Sequence, residues 1–396
     1  MIKLHSSSRK NYKAHKIIVA ILFVIVTCYL SIMYLNIPVV SDLRDLYIET
    51  AMSTMEHQWL ATYFIPDSVI DKVINKEDTF KNDSVNSSKL PDVTKDSLLD
   101  LAEYKSKLLE YSANKISKEY FYKLYYEIDE TTLPTNLDYK NVGILSSEDG
   151  YNIKTIYGDS VFVLDTVNGI IIIDINENGY KGKLAIIKDS SKVYLHNNTR
   201  KSRGSTVIEH CDEAGVILGI NGSGLIDYNG KGTGAQPVGL VISNGDIYNN
   251  TFGAAGYHIA ALDNNNNFVM GRSIDLSNIR DAVEFYPIIV LNGNKHVTGS
   301  YGLGLQPRSA IGQTADGSFL MLVIDGRQVG HSLGATVSNC ADIMLRYGAY
   351  NAINLDGGSS SSMVYNGEMI TKTSSPMKYG RYLPNSWVVK GECYER

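Results

Sequence analysis

The apolar and polar positions divide the 396-residue chain into stretches of different texture. The first is continuous: no charged residue interrupts Ile17 to Val40, and Ile17–Leu35 is its most apolar part. At about 1.5 Å per residue, such a run is long enough to cross a bilayer as one helix. Lys3, Arg9, Lys10, Lys13 and Lys16 precede it, and Asp42 and Asp45 follow. The positive-inside rule then predicts a cytoplasmic tail over residues 1–16, a transmembrane anchor over 17–40 and an extracytoplasmic remainder. The run exceeds a secretory h-region and lacks a convincing small-x-small site near Ile37–Ser41, which favours an uncleaved single-pass anchor in the cell membrane.

Residues 41–137 read as a helical stalk or linker. Leu43, Leu46, Tyr47, Met52, Met55 and Trp59 recur at near-helical spacing. Asn75–Ser97 is polar with little to bury, the composition of a linker. Leu98–Tyr126 carries a second helical pattern through Leu98, Leu99, Leu101, Leu108 and Leu109, either a coiled-coil-like spacer or a cap on the next domain.

After Pro134 the period shortens. Ile153–Ile156, Val161–Leu164, Ile170–Ile175, Leu184–Ile187 and Val193–Leu195 are β-rich runs between Gly, Asn and Asp turns. Val216–Ile220, Val238–Ile242, His258–Leu262, Ile288–Leu291 and Phe319–Ile324 continue them. One helical stretch, Gly334–Tyr347, stands among them, with Gly348 as its stop. The expected fold class is α+β: a mixed, β-rich catalytic domain over 138–396 with few helices and no regular βαβ alternation, preceded by a transmembrane helix and a helical stalk.

Composition narrows the function. A net charge of -5 with 20% charged residues argues against a dedicated nucleic-acid binder. Abundant tyrosine, 27 residues, is compatible with carbohydrate contacts. There is no Walker loop, dinucleotide fingerprint or His-Glu-x-x-His. Cys28, Cys211, Cys340 and Cys393 lack Cys-x-x-Cys spacing; outside the span, a Cys211–Cys340 bridge, a pair with Cys393 and buried free thiols are all open.

The candidate chemistry lies at strand ends. Ala352–Leu355 reads as a buried strand ending on Asp356, followed by Gly357, Gly358 and four serines, Ser359–Ser362. Strand ends place a carboxylate rigidly, glycines admit a close ligand, and hydroxyls both donate and accept. Val323-Ile324-Asp325-Gly326-Arg327 repeats the strand-to-carboxylate pattern. Asn221-Gly222 follows another strand, Arg308 precedes one, His331 sits where the helix is expected to begin, and Arg381 precedes the last strand. Two carboxylates, several arginines and many hydroxyls suit an anionic sugar substrate.

Together Ile220-Asn221-Gly222, Arg308-Ser309-Ala310-Ile311-Gly312, Ile324-Asp325-Gly326-Arg327, Ser332-Leu333-Gly334-Ala335-Thr336, Asn351 through Ser361 and Arg381 resemble the phosphodiester glycosidase family over about residues 138–390. Where that family commonly has Asn-Gly-Gly, an aromatic and Asp, this chain reads Asn221-Gly222-Ser223-Gly224-Leu225-Ile226-Asp227. The resemblance implies an α+β hydrolase that cuts the glycosidic bond of a sugar-1-phosphodiester, in cell-surface or exopolysaccharide glycan metabolism. On that reading Asp356 and Asp325 supply the carboxylates, His331 neutralises the leaving phosphate, Arg308 and Arg381 hold the phosphate, and Arg327 belongs to the substrate-binding set. Asn221, Gly222, Gly357, Gly358, Ser359, Ser360 and Ser361 line the sugar. No cofactor is implied, although Asp356, Asp325 and Asn221 are hard oxygen donors that could accept a divalent cation. The expected partners are a sugar-phosphate or glycan substrate and a membrane entered by one N-terminal helix. The rival reading is a non-catalytic cell-surface protein that binds or assembles glycan; a metal-dependent phosphodiesterase fits less well, for want of His/Asp clusters.

Overall fold

The computed structural model describes residues 5–35, 37–54, 57–80, 113–198, 200, 202–227, 232–251 and 257–394. The chain divides into two compact units, Met1–Glu77 and Asp78–Arg396.

In the first unit, α1 (His5–Tyr34) carries one stretch long and apolar enough to cross a membrane, Lys16–Tyr34, with none of it buried. This stretch ends sooner than the anchor expected over 17–40. Pro38 opens α2 (Pro38–Met52), since its missing N–H and fixed φ suit a first helical turn and cannot extend the preceding helix. Two further helices follow, α3 (Trp59–Thr62) and α4 (Asp67–Phe80). Ile48, Ala51, Ala61, Ile65, Val69, Ile70 and Val73 form a small core of their own. Asn75–Phe80, read as the start of the linker, completes α4; Met55, the rest of the linker and the second helical pattern as far as residue 112 lie outside the described residues.

The second unit is built on a nine-stranded sheet. Its strands are β1 (Ile144–Ser146), β2 (Val161–Asp165), β3 (Ile170–Glu177), β4 (Tyr180–Ile187), β12 (Ile288–Leu291), β13 (Asn294–Lys295), β14 (Arg308–Thr314), β15 (Phe319–Ile324) and β16 (Ala349–Asn354), in the order β1-β2-β3-β4-β15-β14-β16-β12-β13. Every pairing is antiparallel. The run Ile170–Ile173 is apolar at every position because both faces are covered. Ile171 and Ile173 point into a core with Val337, Cys340, Ala341, Ile343 and Met344 of a helix, Val337–Arg346. Ile170 and Ile172 point into a second core shared with two five-stranded sheets. One of those sheets, built from β7 (Val241–Ser243), β8 (Asp246–Asn249), β9 (His258–Asp263), β10 (Phe268–Gly271) and β11 (Ile279–Phe285), contributes Val241, Ala260, Leu262 and Phe268; the other, built from β5 (Val193–Asn197), β6 (Leu218–Asn221), β17 (Met363–Tyr365), β18 (Glu368–Met369) and β19 (Asn385–Val389), contributes Leu195, Ile220, Met363 and Trp387. The unit is α+β, as its β-rich pattern implied.

Helix Val337–Arg346 starts later than the expected Gly334, because the Thr336 side chain caps it in a box with Asn339. Ile153–Ile156 forms only isolated bridges, Ile128 with Thr155 and Lys154 with Ser160. Cys211 and Cys340 are buried free thiols.

α5 (Ala113–Leu124) is the described part of the second helical pattern, and it behaves as a cap rather than a spacer. Phe121, Tyr125, Ile128 and Leu133 join the core beneath the nine-stranded sheet. The boundary expected at 137/138 thus separates side chains that pack together. Burying four such groups is worth on the order of 5–10 kcal/mol, comparable with the net stability of a domain. A fragment beginning at residue 138 should melt without cooperativity, and one beginning at 113 should regain a single transition in circular dichroism. A cooperative melt from the shorter fragment would show that the cap is dispensable.

Candidate active site

The site grows from the register of three strands. Arg308 opens β14 opposite Ile324, the last residue of β15, while Ala310 lies opposite Asn354, the last residue of β16. Antiparallel pairing on both sides of β14 therefore delivers Asp325 and Asp356 to the same end of the sheet, flanking Pro307. Both carboxylates are followed by glycine for one reason. A Cβ at Gly326 would lie 2.6 Å from Pro307 N, and one at Gly357 would lie 2.6 Å from Pro307 O. The Gly358 amide then donates to Pro307 O at 2.9 Å, closing the turn over the same residue.

Around Asp356 the structure gathers Arg381, Ser359, Ser360 and Asp227. Arg381 donates through Nη2 to Asp227 Oδ2 at 2.5 Å and through Nη1 to Ser359 Oγ at 3.3 Å. Burial pushes the Asp356 carboxyl up to about 6, against the pull of the Ser360 hydroxyl and the Arg381 charge. Burial also acts on Asp227, but the Arg381 guanidinium and the Gly232 amide outweigh it and hold that carboxyl below its ordinary value. One arginine thus serves two carboxyls whose affinities for a proton have been driven apart, an arrangement typical of acid/base sites.

Asp325 forms a second group. His331 Nε2 lies 2.7 Å from its Oδ2, and the Lys372 amide donates to its Oδ1 at 2.9 Å. Burial raises this carboxyl as well, with the His331 contact and the Lys372 amide opposing. His331 was expected at the helix start; instead it sits in the turn after β15, six residues before Val337, and faces Asp325. Arg327 adopts a left-handed φ of 58°, donates Nε–H to Gln306 Oε1 at 2.8 Å and lies over the Gly358 turn, where a Cβ would come within 3.1 Å of its Nη2.

Three expected contact residues have other work. Arg308 points inward, donating to Ala335 O at 3.1 Å, Leu303 O at 2.9 Å and Gly304 O at 2.8 Å, with no carboxylate partner among the described residues. It clamps two loops rather than facing the site, because three backbone acceptors under the sheet end demand donors. Asn221 is fully buried: its Nδ2 donates to Asp356 O at 2.8 Å and its Oδ1 accepts from Ser309 Oγ at 2.6 Å. Gly222 leaves room for Asn385, whose Oδ1 would be 2.2 Å from a Cβ there. Asn221 therefore holds the Asp356 backbone, and Gly222 packs closely against Asn385. Ser361 is buried, its hydroxyl without a hydrogen-bond partner among the described residues.

Two contributors escape a reading by motif. Asp227 closes the loop in which this chain departs from the family pattern, so its position was marked but its partner Arg381, 154 residues away, was not. Tyr257 lies beside Asp356: burial, Tyr286 and Asp356 together raise its hydroxyl above the ordinary value. Its ring packs 5.3 Å from Phe285 and 5.0 Å from Tyr286, making a half-buried aromatic cluster next to the carboxyl. Among the described residues no group of three or more His, Cys, Asp or Glu side chains is placed to hold a metal ion.

Residues 214–390 match the family model described as phosphodiester glycosidase. The resemblance drawn from the motifs holds over that stretch, which begins later than the expected 138, and it supports a glycosidase-type hydrolase. The SPbeta prophage-derived protein YomE of Bacillus subtilis is 40% identical over 68 residues, 17% of this chain and 10% of its own length. The chain therefore spans only a tenth of that curated relative. The catalytic domain of zebrafish N-acetylglucosamine-1-phosphodiester alpha-N-acetylglucosaminidase, auto-inhibited by its pro-peptide, aligns at TM-score 0.47 and 19% identity, over 56% of this chain and 82% of that one. A hypothetical protein from Synechocystis aligns at TM-score 0.41 and 13% identity, over 56% of this chain and 62% of that one.

Two predictions follow from these contacts. The folded-state value of Asp356 lies above the unfolded one, so the folded form holds the extra proton between about pH 4 and 6, and Asp356 costs stability as pH rises through that window. Asp356→Asn should therefore stabilise the protein by about 1–3 kcal/mol near pH 8 and by nothing near pH 4; denaturant melts at both values check this, and equal effects at the two would refute it. Arg308→Ala, by orphaning three carbonyls and opening a cavity, should cost roughly 3 kcal/mol of stability, whereas Arg381→Ala should mainly impair substrate turnover in the folded fraction. Melting and specific activity measured on the same preparations separate the two arginines.

Proposed function

We propose that the protein is an extracytoplasmic hydrolase that cleaves the glycosidic bond of a sugar-1-phosphodiester, acting in cell-surface or exopolysaccharide glycan metabolism and held to the membrane by α1. The observation that carries this reading is the Asp356–Arg381 arrangement on the Gly357-Gly358 turn. A carboxyl poised near neutrality stands beside a guanidinium and a hydroxyl suited to phosphate oxygens. Arg381 and Ser359 bind the phosphate, with Arg327 over the same turn. Asp356, when ionised, stabilises positive charge developing at the anomeric carbon as the C–O bond to phosphate breaks. The departing phosphodiester oxygen leaves as an anion already stabilised by the arginines, so it needs little help from a strong acid. Water adds to the anomeric carbon and gives up its proton to the Asp325–His331 pair, which acts as general base. The products are a free sugar and a phosphomonoester.

The basic residues ahead of the apolar run that begins at Ile17 support an outward orientation for everything after Tyr34.

The test is hydrolysis of a hexose-1-phosphate methyl diester in heavy-oxygen water by the detergent-solubilised full chain. Label in the sugar hydroxyl is expected; label in the phosphate would mean P–O cleavage and overturn the reading. Asp356→Asn should lower turnover by about 10² or more, roughly 3 kcal/mol in the barrier. Wild-type activity should fall as pH drops through about 6, as Asp356 takes up its proton. Sugar binding without turnover would favour the glycan-binding alternative.

A further inference from the structure

The first unit holds a feature that the hydrolase site does not explain. The residues 57–66 contain no Asp, Glu, Lys or Arg. Within them Trp59, Tyr63 and Phe64 are 49%, 80% and 62% exposed, and the Trp59 and Tyr63 rings meet edge-on at 6.3 Å. Three large aromatic side chains on one short exposed turn form a patch that water does not favour.

Where this turn sits decides what covers it. The Tyr29 hydroxyl, inside the apolar stretch Lys16–Tyr34, donates to Phe64 O at 2.8 Å. Tyr29 precedes the end of α1 by five residues, about 7–8 Å of helix rise, and helical side chains lean toward the N-terminus. The Phe64 backbone is therefore level with the last turns of α1, not beyond them. Other contacts hold the fold-back in place. Met33 packs against the small core that contains Ala61 and Ile65. The Tyr47 hydroxyl donates to Leu60 O at 2.9 Å, fastening α2 to α3. Arg44 donates to Ile32 O at 3.3 Å and Met33 O at 2.8 Å while pairing with Asp45 at 2.7 Å. It thus occupies carbonyls that the end of a membrane helix leaves open.

We infer that the turn His57–Pro66 is a membrane-interface element, with Trp59, Tyr63 and Phe64 entering the headgroup–acyl boundary of the leaflet where α1 ends. The aromatic patch is continuous with the apolar surface of α1, amphipathic rings are the side chains that boundary accepts, and the uncharged turn carries nothing that would resist entry. The first unit is then seated on the bilayer as well as threaded through it.

This inference rests on α1 being a membrane anchor, so the experiment treats the two separately. The full chain is reconstituted in phosphatidylcholine vesicles and floated after an alkaline wash; a chain that fails to float removes both the anchor and the proposal. For a chain that floats, tryptophan emission is read with lipids brominated near the top of the acyl chain and, separately, with aqueous iodide. The chain has two tryptophans, and Trp387 is fully buried in the second unit, so the difference between wild type and Trp59→Phe isolates Trp59. Bromolipid should lower the Trp59 signal about twofold or more, and iodide should leave it nearly unchanged. The reverse pattern places the turn in water and overturns the inference. Protection from both quenchers means that a second copy or another protein covers the patch, and overturns it equally.

Discussion

The close approach of three backbone segments around Pro307 is the constraint on which the site depends. β15 and β16 both end near the residue that precedes β14, and an Asp-Gly step follows β15 directly and β16 after Leu355. A side chain at either glycine would strike the Pro307 backbone, so the two carboxylates can sit at neighbouring strand ends only because glycine follows each. The surrounding polar network fixes that junction. Arg308 draws the loops at Leu303–Gly304 and Ala335 against it, and Asn221 ties the end of a strand in another sheet to the Asp356 carbonyl. Each of these side chains satisfies backbone groups that would otherwise be buried without partners.

Electrostatics at this junction follow from burial. Desolvation raises Asp356 and Asp325, while Asp227 is kept ionised by Arg381. A carboxyl held out of water near neutrality destabilises the fold, and the packing on both faces of the nine-stranded sheet offsets the cost. The rings of Tyr257, Phe285 and Tyr286 pack together, and the Asp356 charge adds to burial in raising the Tyr257 hydroxyl above its ordinary value.

The first unit distributes its apolar side chains differently. Its helices enclose a core of seven small and medium apolar side chains, while its large aromatics are left outside. In water that distribution would be inverted; beside an apolar helix end it is the expected one.

Periodicity along the chain determined the apolar N-terminal helix, the β-rich texture of the second unit and most of its strands, because these follow from local patterns of period 2 and 3.6. Asp356, Asp325, Gly357 and Gly358 were also legible, since a strand ending in Asp-Gly signals a carboxylate at a tight approach. Only the tertiary structure decided what each polar group faces. Arg308 and Arg381 look equivalent as isolated arginines, yet one is spent on three carbonyls and the other faces Asp227 and Ser359. His331 looked like a helix-start residue until the cap at Thr336 moved the helix onward. The cap formed by α5 and the fold-back that brings Phe64 to Tyr29 depend on contacts between distant residues, which no local pattern encodes. Sequence spacing sets which face of an element a side chain occupies; the partner across that face is chosen by the register and packing of the whole chain.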